Sequence, residues 1–300
     1  MVNVKGLHLE PTNKCTLKCP RCPRTSFIDT FGMKSWKNED LNLDHLKKFL
    51  DIDLKNIKIR LCGNLGDPIY YDDLFNLIQW TKEQGGQLEI VTNGSYRRKD
   101  WWEKHLDLLD EKDSLVFSID GVPSNFTEYR VNGDWNSIET AIACAVNSKV
   151  TTSWKYIPFS FNENDIDHAK QLSNDLGIDN FIIYSSDRWE QNDYLKPVND
   201  LYHGPRTEKI IEWRNSGIAD SIDPKCYNSS EHFISAKGYY APCCYSADWR
   251  FYYSSKFWKN KEQYDISKTT FTKVLLQEDE FFKNLEIRKE KYCTFNCPKT

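Results

Sequence analysis

Cys15-Thr16-Leu17-Lys18-Cys19-Pro20-Arg21-Cys22 follows the short apolar run Leu7-His8-Leu9 and sets three thiols within eight residues. A loop of this length can wrap all three around one metal centre. Structural zinc sites are closed by four ligands, commonly in CxxC pairs. A C-x3-C-x2-C triplet instead fits a [4Fe-4S] cluster with one iron left open to a substrate. The competing reading is a zinc loop completed by a distant fourth ligand.

The rest of the composition narrows the setting of that loop. The chain has 300 residues, with 40 Lys+Arg against 44 Asp+Glu and a formal net charge of −4, so it lacks the basic excess of a nucleic-acid-coating protein. At this length a sizeable core forms without disulfide staples, and the ten cysteines need another reason. No apolar run approaches the ~20 residues of a membrane span, and Met1 to Leu9 lacks the apolar stretch of a signal peptide. The expectation is a cytoplasmic protein. In that reducing setting, clustered cysteines are more often metal ligands or catalytic thiols than disulfides.

A second cysteine group lies near the C-terminus: Cys226, then Gly238, then Cys243-Cys244, then Cys293 and Cys297. Four thiolates from this group would close a second site with no open position, as suits electron transfer or structural support, with zinc as the competitor. Adjacent cysteines point differently, so one of Cys243 and Cys244 is expected to ligate. Cys62, in an apolar strand, and Cys144, in Ala141-Ile142-Ala143-Cys144-Ala145-Val146, read as buried small hydrophobes.

Between the two groups the sequence keeps a βα rhythm. Strands are expected at 7–9, 57–62, 88–92, 115–119, 152–159 and 181–184. Helices are expected at 41–50, 71–84, 99–109, 135–146 and 166–176, the last stopped by Gly177. Six such units predict a partial (β/α)6 TIM-like barrel. The rhythm stops in the polar stretch 185–205, so residues 1–185 read as the barrel, 186–222 as a linker and 223–300 as a small cysteine-rich domain. Within the remainder, 207–215 reads as a helix, 233–240 as a hairpin turning at Lys237-Gly238, and 274–289 as a helix delivering the last cysteine pair.

Ligands of parallel α/β sheets bind at the carboxyl ends of strands. Four strands are followed there by distinctive residues: the cysteine loop, Gly63-Asn64-Leu65-Gly66-Asp67-Pro68, Thr92-Asn93-Gly94-Ser95, and Ser118-Ile119-Asp120-Gly121. Each alone is an ordinary turn, since Asn-Gly and Asp-Gly supply positive φ; together they face one rim.

On these residues the chain resembles the radical S-adenosylmethionine (radical SAM) superfamily: the C-x3-C-x2-C loop after the first strand, Gly66 to Pro68 in place of a GEP-type motif, the Thr92 to Gly94 turn and the Ser118 to Gly121 turn. The C-terminal part resembles that family's SPASM/twitch extension, whose opening C-x(9–15)-G-x4-C pattern is met by Cys226, Gly238 and Cys243. Five cysteines beyond residue 200 suit a shortened, single-cluster version. Two positions depart from the pattern. Arg21 stands before the third cysteine, where an aromatic often sits, and Asp67 replaces the usual Glu.

The resemblance implies a cluster on Cys15, Cys19 and Cys22 whose open iron binds S-adenosylmethionine, and one auxiliary [4Fe-4S] cluster on Cys226, Cys243, Cys293 and Cys297. It implies reductive cleavage of S-adenosylmethionine to a 5′-deoxyadenosyl radical that abstracts hydrogen from a substrate. Gly66 and Asp67 would then meet the methionine amino group, Asn93 and Ser118 the ribose or carboxylate side, and Arg130 the carboxylate through bidentate geometry. Asp120 is either a hydrogen-bonding partner or a turn residue, and the turn is preferred. The expected reaction is oxidation or cross-linking of a peptide side chain, fed by an external donor such as a flavodoxin or ferredoxin. The alternatives are a dehydrogenase of a small alcohol or sugar and a non-enzymatic zinc or iron-sulfur module.

Overall fold

Strands and helices alternate through the first 183 residues because two hydrophobic periods alternate in the sequence. The computed structural model describes residues 4–186, 189, 193–204, 221–223, 231–253, 255–283, 293, 294 and 297. The order is β1 (Gly6–Leu9), α1 (Pro23–Phe31), α2 (Leu43–Phe49), β2 (Lys58–Leu61), α3 (Leu74–Glu83), β3 (Gln87–Thr92), α4 (Lys99–Leu106), β4 (Ser114–Ser118), α5 (Trp135–Val146), β5 (Thr151–Tyr156), α6 (Ile166–Asp175) and β6 (Asn180–Ile183). The six strands pair in parallel, each with its neighbour in sequence, which makes the expected (β/α)6 sheet.

Helix α5 shows how local sequence sets an element. The Asp134 carboxylate caps it by accepting from the Ser137 amide at 2.9 Å, and Ile138, Ala141, Ile142 and Ala145 form one buried stripe at helical spacing. Gly177, at φ +78°, follows α6 in a conformation that side chains rarely adopt. The sequence reading had no helix at α1, where hydrophobic period is absent and the one buried residue is Arg24. Pro23 at its first position, with φ already suited to a helix, is the signal that could have found it.

Alternation along the strands divides the sheet into two faces. Leu88, Ile90 and Thr92 of β3 and Leu115 and Phe117 of β4 point to the helices and are buried. Trp154 of β5 is fully buried, and its indole N–H donates to the Ile119 carbonyl at 2.7 Å. The opposite face is polar. Parallel register aligns His8 with Arg60 and Arg60 with Glu89, and it sets Ser118 beside Lys155. A face this polar is not core, and the candidate site occupies its upper end.

The sheet does not end at six strands. β7 (Glu231–Ile234) pairs in parallel with β1, and β8 (Tyr240–Ala241) returns antiparallel through a turn with Gly238 at φ +78°. The expected hairpin is present, and it extends the same sheet to the order β6-β5-β4-β3-β2-β1-β7-β8. The helix Phe271–Lys283 follows; its expected continuation to 289, the expected helix 207–215 and Cys226 lie outside the described residues. Cys144 is half-buried at the edge of the core, more exposed than its apolar neighbours suggested. Among the described residues no helix is long and apolar enough to cross a membrane.

Candidate active site

The carboxyl ends of β1 to β5 surround a cavity of about 300 Å³. Cys15, Cys19 and Cys22 enter from one side, Gly66, Asp67 and Asn93 form the floor, and Ser118, Arg130 and Lys155 the far wall. The three cysteines, Gly66, Asp67, Asn93, Ser118 and Arg130 therefore reach one space, although they follow four different strands, whereas Asp120 does not line it.

The cysteine loop is held by backbone and by apolar packing. The Cys22 amide donates to the Cys19 carbonyl at 3.1 Å, closing a tight turn between the second and third thiols. Leu17, Cys19, Tyr129, Phe159, Trp189 and Leu195 form a buried cluster separate from the main core, with Cys15 and Cys22 packed against it. Two donors reach the sulfurs: Asn93 Nδ2 lies 3.8 Å from Cys15 Sγ, and an Arg130 guanidinium nitrogen lies 3.7 Å from Cys19 Sγ. Burial pushes the Cys15 thiol up to about 12, with the nearby Asp67 adding to the shift, and burial also raises Cys19. Binding a metal would displace these thiol protons. Three thiols packed against an apolar cluster, with N–H donors aimed at two sulfurs, fit an iron-sulfur cluster. Among the described residues no three Cys, His, Asp or Glu side chains converge on a single-ion site.

Gly66 belongs to a close approach of two backbones. A Cβ there would lie 2.1 Å from the Thr12 carbonyl oxygen, and one at Gly63 would lie 2.1 Å from the Gly66 carbonyl oxygen, so the 63–66 loop packs as bare backbone against the entry to the cysteine loop. The Asp67 amide donates to the Lys14 carbonyl at 2.9 Å. The Asp67 side chain is turned inward: its carboxylate accepts from the Asn93 amide at 2.7 Å, from the Asn93 side chain, and from the Ile69 amide at 3.2 Å. Burial raises its pKa against those hydrogen bonds. Asp67 thus orients Asn93 at the end of β3.

Asp120 corrects the sequence reading, and Arg130 is its partner. Asp120 is not simply a turn residue. Its carboxylate is fully buried, lies 2.6 Å from an Arg130 nitrogen and accepts from the Ile157 amide at 2.9 Å. Arg130 is a half-buried side chain, 16% exposed, fixed between Asp120 and Cys19. Burial opposes its charge, but Asp120 and Cys19 more than offset this and raise its pKa. The Asp-Gly pair did predict a turn, with Gly121 at φ +148°; a carboxylate leaving that turn inward has no sequence signature.

Arg21 has a partner as well. It pairs at 2.8 Å with Asp193, whose side chain is fully buried, and so ties the cysteine loop to the segment after β6. Among the cavity residues that sequence reasoning missed are Cys62, Lys155, Tyr184 and Tyr245. Lys155 Nζ sits 3.8 Å from the Tyr184 ring centre. Strand alternation could have found Lys155, since it shares the face of Ser118 one strand over.

The second cysteine group is partly described. Burial raises the Cys243 thiol to about 11, and Cys297 lies close enough to add to that shift. The Cys297 amide donates to the Cys293 carbonyl at 2.8 Å, and both residues are buried. The Cys244 carbonyl accepts from Asn64 Nδ2 at 2.8 Å, which joins this segment to the loop after β2.

No protein-family profile matches the chain. In sequence, 123 residues are 28% identical to the tungsten-containing aldehyde ferredoxin oxidoreductase cofactor-modifying protein of Pyrococcus furiosus; the match covers 40% of this chain and spans about a third, 32%, of that protein. In structure, SuiB of Streptococcus suis bound to S-adenosylmethionine superposes with a TM-score of 0.60 over 95% of this chain and 68% of its own, at 15% identity. SuiB bound to its precursor peptide SuiA gives 0.57 at 16% identity over 95% of this chain and 67% of its own. The enzyme anSMEcpe with bound S-adenosylmethionine gives 0.54 at 14% identity over 90% of this chain and 80% of its own. The chain has the radical SAM fold. The cysteine loop, the 63–68 loop, Asn93, Ser118 and Arg130 all lie at the strand-end rim of that fold here.

Proposed function

We propose that the protein is a radical SAM enzyme in which Cys15, Cys19 and Cys22 hold a [4Fe-4S] cluster and Gly66, Asp67, Asn93, Ser118 and Arg130 hold S-adenosylmethionine beside it. The observation that carries this reading is the opening of the three-cysteine loop onto the same cavity as four other strand ends. When bound, the reduced cluster would supply the electron that cleaves the sulfonium to methionine and a 5′-deoxyadenosyl radical. The protein's own residues have a positioning task. The backbone of Gly66 would meet the ligand amine, Asn93 is held by Asp67 where it lines the cavity, and Arg130, held by Asp120, would meet the ligand carboxylate.

The substrate is a peptide side chain, which the radical oxidises or cross-links. The aromatic wall of Tyr129, Phe159, Trp189, Tyr184 and Tyr245 suits a partly apolar side chain, and SuiB, of similar fold, is known bound to a precursor peptide. Cys226, Cys243, Cys293 and Cys297 would hold an auxiliary [4Fe-4S] cluster, which would supply an acceptor for the substrate electron. The proximity of Cys243 to Cys297, and the hydrogen bond from Asn64 to the Cys244 carbonyl, support a second cluster near the rim. A barrel over 1–185, a linker over 186–222 and a cluster-bearing domain over 223–300 remain the proposed division.

The test is anaerobic reconstitution of the whole chain with iron and sulfide, reduction with dithionite, and chromatography of the products. 5′-Deoxyadenosine formed with bound iron and sulfide supports the reading. A protein that takes up zinc, holds no sulfide and leaves S-adenosylmethionine intact overturns it.

A further inference from the structure

Glu10 stands one residue beyond β1 and is 2% exposed, at the point where the chain leaves the sheet for the cysteine loop. Neither the cysteines nor the strand-end turns explain a carboxylate buried there. Its surroundings do. Its Oε1 accepts from the Leu65 amide at 2.7 Å, and the backbone amides of Ala236, Asn64 and Gly66 lie near enough to the carboxylate to lower its pKa. These N–H groups come from two segments far apart in sequence: the 63–66 loop after β2 and the turn between β7 and β8. The backbone of Glu10 continues the pattern, its own amide donating to the Ile234 carbonyl of β7 at 2.9 Å.

Both loops matter to the cavity. The 63–66 loop is pressed so closely on the Thr12 and Asn13 backbone that it has no room for a Cβ at Gly66. The same loop holds the Cys244 carbonyl through Asn64. A buried carboxylate that accepts the Leu65 N–H and lies close to three more amides holds that backbone strongly, because an N–H left unpaired there costs its full desolvation. Burial raises the Glu10 pKa to about 7 in spite of these amides, so the position is costly to keep acidic and the amides are its compensation.

We propose that Glu10 is a positioning residue that clamps the 63–66 loop and the β7–β8 turn into one frame, and thereby sets the backbone of Gly66 for the ligand held at the strand ends. The ligand part of this proposal rests on the reading of the cavity as an S-adenosylmethionine site. The clamp itself does not.

Amide hydrogen exchange on the full-length chain separates the two. In the wild type, the amides of Asn64, Leu65, Gly66 and Ala236 should show protection factors within about tenfold of one another, as groups released by one event. In Glu10→Gln, exchange should quicken at least tenfold at both loops. Titration of the reconstituted variant with S-adenosylmethionine should show affinity at least tenfold weaker at unchanged iron content, a readout that general destabilisation would not isolate. Protection factors differing by more than tenfold in the wild type, faster exchange at one loop alone, or affinity within twofold of wild type in the folded variant would each overturn the proposal. A wild-type protein that binds no S-adenosylmethionine would instead overturn the reading of the cavity, while the exchange data still judge the clamp.

Discussion

The six βα units and the C-terminal cysteine segment obtain their order in different ways. In the first, hydrophobic period specifies each element and neighbours in sequence become neighbours in the sheet, so α5 is fixed by Asp134 and four buried side chains within one twelve-residue helix. In the second, β7 finds its partner in β1, and Cys243 lies near Cys297 from more than fifty residues away. The first is stabilised by local pattern and burial, whereas the second depends on long-range pairing and, under the proposed function, on iron. Substitutions should therefore split into those that move the melting transition and those that move the metal.

The largest effect is expected at the cysteine loop. Replacing Cys15, Cys19 and Cys22 together by Ala should abolish 5′-deoxyadenosine formation and remove about half of the bound iron, assayed by chromatography and iron analysis, while circular dichroism keeps the signal of the βα units. Residual cleavage at the wild-type rate would break the distinction between the two cysteine groups. Next comes Asp120→Asn, which leaves the Arg130 guanidinium without its buried counter-charge. A loss of about 3 kcal/mol in chemical denaturation is expected. If stability were unchanged, the ion pair would have no structural role.

Gly66→Ala should cost on the order of 1–3 kcal/mol, since the new methyl group meets the Thr12 carbonyl and one backbone must yield. Iron content should hold, and the affinity for S-adenosylmethionine should fall. In the other region, Cys243→Ala should lose the auxiliary cluster whereas Cys244→Ala keeps its iron, because half-buried Cys243 lies beside Cys297. Equal iron loss in both variants would remove that assignment.

The smallest effect sits at the start of β5. The Asp179 carboxylate accepts from the Thr152 amide at 2.7 Å and the Thr152 hydroxyl at 2.8 Å, and these bonds hold its pKa below the usual range. A depressed folded pKa contributes stability that is present above the unfolded value and lost as the pH falls through the folded one. Asp179→Ala should therefore cost about 0.5 kcal/mol near neutrality, since solvent screens this exposed carboxylate, and the gap should close in acid denaturation experiments below the ordinary carboxylate range.

Legibility in the sequence follows the same division. The strand-end rim was readable because period 2 and period 3.6 locate strand ends, and Gly66, Asn93 and Ser118 fall just there. Asp120 was misread because a turn fixes backbone, not the direction in which a carboxylate leaves it. Arg130 and Cys19 meet across 111 residues, a distance over which no pattern in the chain operates. Pro23 announced α1 without a hydrophobic stripe to support it, and Glu10 was invisible because its partners are backbone amides, which carry no residue type. The pairing of β7 with β1 was hidden for the same reason, since ladder hydrogen bonds are made by main chain.

That pairing has a consequence during synthesis. Gly6 meets Glu231 in register, so β1 is made 225 residues before the strand that covers its outer side. At ribosomal rates of about 5–20 residues per second, the interval is roughly 10–45 seconds. Throughout it, β1 has a row of main-chain donors and acceptors facing outward, the condition under which nascent chains pair with one another. The nascent protein is thus most exposed to misassembly at the strand beside its cysteine loop, and slowing translation before residue 231 should lower soluble yield more than slowing it afterwards.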